Sequence, residues 1–198
     1  MDRIVTRMKN VRHGFCGPDR NGAFFYNDFD DYIFLRNSEA PQDATPVYHY
    51  VQEDATFTGV EFEASFVLGQ RLGGEISLDI FGDWLKGNLD ISGDAPRLPP
   101  QRLGSRFHYE NDALSAYISV LRAEDQDKPG LFEEETGGYS RWDAGLNYRI
   151  SIDARKDVLA FIKLKNILDE EIRNSASFLR EIAPEAGRSI EAGFRVTF

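Results

Sequence analysis

Three histidines, a single cysteine and an excess of carboxylates are the residues here with the chemistry to hold a metal or move a proton. Imidazole is a good zinc ligand, yet His13, His49 and His108 show no His-x-His or His-x-x-x-His spacing. His49 has Glu53 and Asp54 close by in sequence and is the one weak metal candidate; otherwise no metal site is expected. Cys16 stands alone, which excludes an internal disulfide and any site built from several thiolates. Glu124, Asp125, Asp127, Glu133, Glu134 and Glu135 crowd residues 123–139. Clustered carboxylates can bind calcium, but a charge run of this kind is ordinarily a solvated surface loop, and that is the expectation. Gly-x-Ser-x-Gly, a Walker loop and His-Glu-x-x-His are all missing, and no nucleophile is matched to a base. The reading is therefore of a chain without enzymatic activity and without a cofactor.

The other charged groups are ordered by period. Glu61, Glu63, Arg102, Arg106, Arg141, Asp143, Asn147, Arg149, Glu191 and Arg195 share the parity opposite the apolar residues of their segments. Strand side chains change face at every residue, so a period of two means one wet and one greasy face. The pattern is cleanest at the end, where Ile190, Ala192, Phe194, Val196 and Phe198 alternate with Ser189, Glu191, Gly193, Arg195 and Thr197. It recurs in Trp142, Ala144, Leu146, Tyr148 and Ile150, in Val60 to Leu68, and in Ile76, Leu78, Ile80 and Trp84. Residues 102–109 and 114–120 carry weaker versions, 158–164 is apolar on both parities, and 24–35 is aromatic-rich with poor alternation. About eight strands result, most of them long.

A chain of 198 residues suits one domain, and 13 % aromatic content argues against disorder. A net charge of −10 argues against nucleic acid as a partner. No apolar run reaches the length of a spanning helix, a test that membrane barrels escape because only alternate residues meet lipid. The connections take turns: residues 69–74, 110–113 and 152–157 are short, and 37–46, 87–98, 123–139 and 167–188 are long. Membrane barrels have short periplasmic turns and long extracellular loops. Tyr109, Tyr148 and Phe198 then fall at periplasmic strand ends, Trp84 and Trp142 at extracellular ones, as two interfacial girdles would. The expected fold is all-β, an antiparallel transmembrane barrel segment with both ends of the eight strands on the periplasmic side. The ten polar residues would face the lumen, meeting an enclosed domain, lining a pore or forming cross-strand ladders, of which ladders are the default.

Arg97-Leu98-Pro99-Pro100-Gln101-Arg102-Leu103-Gly104, then Asn166-Ile167-Leu168-Asp169, Ser177-Phe178-Leu179, Ala183-Pro184, Gly187-Arg188 and a last strand ending in Phe198 follow one another in order. This series resembles the end of the barrel of TonB-dependent outer-membrane receptors, in a subgroup that includes zinc- and haem-linked members. The resemblance covers residue 59 onward; Asp30-Asp31-Tyr32-Ile33 is a looser match, and residues 1–21 match nothing. Residues 22–198 are thus expected to be the barrel part and 1–21 to be unassigned. The resemblance implies an outer-membrane location, uptake of a metal or metal chelate in the parent protein, and a terminal Phe198 read by the barrel-assembly machinery. Lipid and lipopolysaccharide are the implied surroundings. It also implies a TonB box and a plug, neither seen in this sequence, so the chain is expected not to transport alone. Residues 1–20 have no apolar stretch suited to a secretory signal, and the frame is expected to be incomplete at its start. The rival readings are a small autonomous outer-membrane barrel, structural or adhesive, and a soluble β-barrel binding an apolar ligand.

Overall fold

Alternation becomes a sheet when each strand finds a neighbour on both sides. The structure, a computed structural model, describes residues 7–17, 20–37, 47–153 and 156–198. They form strands β1 (Arg7–Gly17), β2 (Arg20–Asn37), β3 (Tyr48–Arg71), β4 (Gly74–Leu89), β5 (Gly93–Asp94), β6 (Arg102–Glu110), β7 (Leu114–Ala123), β8 (Tyr139–Asp153), β9 (Lys156–Lys165) and β10 (Ser189–Thr197). The order is β1-β2-β3-β4-β6-β7-β8-β9-β10, antiparallel throughout, with two-residue β5 hooked onto the end of β4. Among the described residues β1 and β10 have no partner on their outer sides, so the sheet is open. The eight expected strands are β2 to β4 and β6 to β10. The ninth long strand, β1, lies in the stretch the sequence leaves unassigned. The eight begin and end at one rim, whereas the added β1 puts Arg7 toward the rim opposite Phe198.

The short connections are built from the residues they need. Leu72 and Gly73 both have positive φ, 52° and 76°, and close the β3–β4 hairpin as a two-residue turn. Asn111 turns the chain into β7 by accepting the amides of Ala113 and Leu114 on its Oδ1, at 2.9 and 2.7 Å. The turns at 18–19 and 154–155 lie outside the described residues.

Register carries the alternation across strands. Phe66, Leu78, Phe107, Ile118, Ala144, Leu164 and Ile190 form one cross-strand row from β3 to β10. The adjacent row, Ser65, Asp79, Arg106, Ser119 and Asp143, is on the other face. Among the described residues no protein layer lies against the apolar face. Phe62, Phe107, Ile118, Leu146 and Phe194 all remain exposed. In β2 a bulge between Phe29 and Tyr32, with Asp31 at φ 58°, reverses the parity. Phe24 and Tyr26 share the apolar face before it, Ile33 and Leu35 after it. That is why this strand alternates poorly in sequence.

The polar face carries aromatics that the period of two does not reveal. Phe25, Phe57, Phe81, Tyr117 and Phe161 lie directly opposite Gly59, Gly87, Gly104, Gly145 and Gly193. Each ring covers its glycine: a Cβ on Gly104 or Gly145 would lie 2.4 Å from a ring carbon. The missing side chain lets the ring lie flat against the sheet. The buried core is small and sits at the long-loop rim. Phe34, Ala55, Phe57, Leu89 and Ala95 form it, with Phe29, Tyr32 and Leu98 packed against it.

Outward aromatics trace a slanting line. Trp142 belongs to the row of Ile80, so over the three strand steps from β4 to β8 it drops four residues below Trp84. At about 3.4 Å per residue and about 4.8 Å per strand, the line slants by about 43°. Tyr109 and Phe198 slant the same way, six residues over four steps, or about 47°. Tyr26 continues the upper line beyond Trp84. Strands of membrane barrels tilt by about 35–45°, which would bring each line level with a membrane plane.

Candidate functional site

The long-loop rim and the polar face beneath it hold the groups that can meet a solute or another domain. Strand register brings Glu61, Asp83 and Arg102 side by side on β3, β4 and β6. Arg102 grips Asp83 with Nε and one terminal nitrogen, at 3.0 and 3.1 Å. Arg141 and Asp143, two residues apart on β8, pair at 2.8 Å, and Arg141 reaches Glu185 of the last loop at 3.8 Å. Lys165 and Glu191 meet across β9 and β10 at 3.9 Å. Arg106 stands opposite Asp79 but lies over the Tyr117 ring, 5.2 Å from its centre. Among the described residues no ion pair joins Glu61, Glu63, Arg149 or Arg195, which are spread along the same face. Phe198 lies beyond the end of β10 and is 94 % exposed.

His49 opens β3 opposite Arg36, and no group of three metal-binding side chains is present among the described residues. Its neighbours have other work. Glu53 is buried and accepts the amides of Ile91 and Ser92, at 2.6 and 2.8 Å, capping the turn that leads into β5. Asp54 accepts the Asp31 amide at the β2 bulge, at 2.9 Å. His108 bonds Ser115 on β7 at 3.0 Å. The side chains of His13 and Cys16, in β1, lie outside the described part.

Glu133 departs from the expectation of a solvated acidic loop. Its side chain is 5 % exposed, and it binds Arg97 at 2.9 Å and Arg180 at 3.4 Å. Both arginines are also largely buried. Buried charge is tolerated only when paired and hydrogen-bonded. Arg97 completes its set on the Leu35 carbonyl at 2.7 Å and over the Phe178 ring, and Arg180 on the Ser175 carbonyl at 2.9 Å. Three loops and the end of β2 are thereby joined in one plate. The partners are 36 and 47 residues from Glu133, and no local signal marks it out.

The Asn166-Ile167-Leu168-Asp169 motif anchors the last loop. Asn166 and Asp169 both have positive φ, 49° and 59°, which Asn and Asp tolerate better than most side chains. The Asn166 amide bonds both the carbonyl and the N–H of Glu170, at 2.9 and 3.0 Å. Asp143 accepts the Asn166 N–H, and Asp169 accepts the Arg188 N–H at the far end of the loop.

An open antiparallel wall with one bare apolar face, tilted aromatic lines and a sealed loop rim defines a class, the barrel wall of an outer-membrane protein. The family model described as TonB dependent receptor-like, beta-barrel matches residues 21–167, and the chain belongs to that family. A search of curated proteins finds no match. Among solved structures, the copper transporter OprC is similar over all of this chain at TM-score 0.74 and 16 % identity. The FrpB iron transporter from Neisseria meningitidis gives 0.61 and 13 % over 96 % of the chain. The ferric enterobactin receptor PfeA from Pseudomonas aeruginosa, in complex with enterobactin, gives 0.58 and 15 % over 97 %. At these identities the likeness is one of fold. The chain spans about a third of their length, between 30 % and 32 %.

Proposed function

We propose that this chain forms part of the wall of an outer-membrane transporter that takes up a metal or a metal chelate, zinc and haem among the classes considered. The bare apolar face carries the proposal: large side chains from β3 to β10 project into the space where a soluble protein would have a second layer. The polar face then lines the lumen. Its ion pairs, and Glu61, Glu63, Arg149 and Arg195, which form no ion pair among the described residues, are available to a plug domain. Three structural neighbours are named for copper, iron and ferric enterobactin, which supports a metal-linked cargo. Work on the cargo needs the plug and TonB, so the wall segment alone is expected not to transport. Phe198, on the apolar parity of the last strand, would serve as the assembly signal for the barrel machinery, a role that rests on the family resemblance.

Uptake of labelled copper and ferric chelates into vesicles containing the refolded chain tests this reading. The expected rate equals that of empty vesicles, while the chain resists protease as an inserted sheet. Accumulation of chelate by the chain alone would contradict it, as would a chain that folds in water and ignores the bilayer.

A further inference from the structure

Four of the ring–glycine pairs on the polar face fall where the chain gives least help with register. Phe25 and Gly59 join β2 to β3, Phe81 and Gly104 join β4 to β6, Tyr117 and Gly145 join β7 to β8, and Phe161 and Gly193 join β9 to β10. Each of these strand pairs is connected by one of the long loops. A tight turn fixes the register of its hairpin, as Leu72-Gly73 does between β3 and β4 and the Asn111 turn between β6 and β7. A long loop does not, because a shift of two residues changes its closure entropy by very little. Such a shift also keeps every side chain on its own face, so alternation alone does not forbid it.

The glycines are sparse, and their places are selective. Strands β6, β8 and β10 contain one glycine each, the one beneath the ring, whereas β7 and β9 contain none. A Cβ at any of the four glycines would lie less than 3.0 Å from the ring. At the three downstream pairs a shift of two puts a large side chain in the seat. Arg102 or Arg106 would come under Phe81, Asp143 or Asn147 under Tyr117, and Glu191 or Arg195 under Phe161. Two rings are also held from above, Tyr117 by Arg106 at 5.2 Å and Phe161 by Lys163 at 5.4 Å from the ring centre. The fifth pair, Phe57 over Gly87, spans β3 and β4 far from their turn and belongs to the buried cluster at the long-loop rim.

We propose that these four pairs are register locks. Each ring seats on the bare stretch of the facing strand and so selects one pairing for two strands that a long loop leaves free to slide. From Phe25 to Phe161 the rings drop ten residues over six strand steps. That is a slant of about 50°, close to that of the outward aromatic lines, so the locks lie at nearly one depth in the tilted wall. Register fixes the shear of a barrel, and shear with strand number fixes its width. On the reading of this sheet as a barrel wall, the locks therefore set the bore.

Disulfide trapping during refolding of the full chain in neutral detergent tests this, with Cys16→Ser as the background. Ser115→Cys/Asn147→Cys reports the native pairing of β7 and β8, whereas Ser115→Cys/Arg149→Cys and Ser119→Cys/Arg141→Cys report slips of two in either direction. Tyr117→Leu should raise the ratio of slipped to native product about fivefold, the most that a cross-strand pair contributes. Gly145→Ala should do the same, and the two together little more, since either change empties the seat. Tyr117→Phe should keep the native ratio. So should Phe107→Leu, which removes an outward ring that faces no glycine. If Gly145→Ala does not refold, Tyr117→Leu, which only removes volume, carries the comparison. An unchanged ratio in Tyr117→Leu would overturn the proposal, as would equal slippage in Phe107→Leu. The locks and the membrane reading fail separately. A chain that folds in water with the expected ratios keeps the locks and loses the wall; an inserted chain whose register ignores Tyr117 and Gly145 loses the locks alone.

Discussion

Removing one partner from the Arg97–Glu133–Arg180 cluster strands charge where water cannot reach it. Glu133→Ala should destabilise the loop plate by about 3–5 kcal/mol, because two buried guanidinium groups lose their shared carboxylate. Limited proteolysis of the refolded chain should show new cleavage in residues 124–138 and 166–188; an unchanged pattern would refute the linkage. A second contrast sets neighbours on β10 against each other. Phe194 projects from the apolar parity about midway between the two aromatic lines, and Arg195 from the other. Phe194→Arg should cost about 2–4 kcal/mol in a vesicle refolding titration, whereas Arg195→Ala should cost little. Equal penalties would contradict the face assignment.

At the level of elements, a bulge acts as a switch of face. Deleting Asp31 should remove the reversal in β2 and send Phe34 out of the core, because a one-residue slip turns every later side chain over. Loss of the cluster formed by Phe34, Phe57 and Tyr32 should show as a lower midpoint in denaturant. An unchanged midpoint would mean that the strand absorbs the deletion elsewhere. The same bulge explains what was readable beforehand. Strands β3, β4, β8 and β10 stand out in the sequence because one face is uniformly apolar over several residues. In β2 the two halves use opposite parities and blur each other. In β1 the apolar Met8, Val11 and Phe15 come at spacings of three and four, so no period of two emerges. The aromatic–glycine pairs were also hidden, since a ring on the wet face looks like a break in the pattern until its glycine partner is known. Of the loop rim, the Asn166 motif was legible by resemblance; the Glu133 cluster depends on contacts between distant loops and was not.

For the molecule as a whole, the two edges that have no partner among the described residues matter most. Strands β1 and β10 run in the same direction, so pairing them directly would make a parallel seam. An all-antiparallel barrel needs an odd number of further strands between them. The chain alone in detergent should therefore associate through its edges rather than form a closed monomer, and light scattering after size exclusion will read its mass. A single monomeric species would contradict that. The tilt leads to the sharpest test of the account. Trp84 and Trp142 are four residues apart along the strands, about 14 Å if the strands stood upright. Tilted as a barrel wall, they reach the same depth. Single-tryptophan variants carrying only one or the other, reconstituted in bilayers with quenchers at graded depths, should give matching profiles with strongest quenching near the headgroups. Profiles that differ by several ångströms, or indoles that no lipid-borne quencher reaches, would contradict the claim that this face of the sheet lies against lipid.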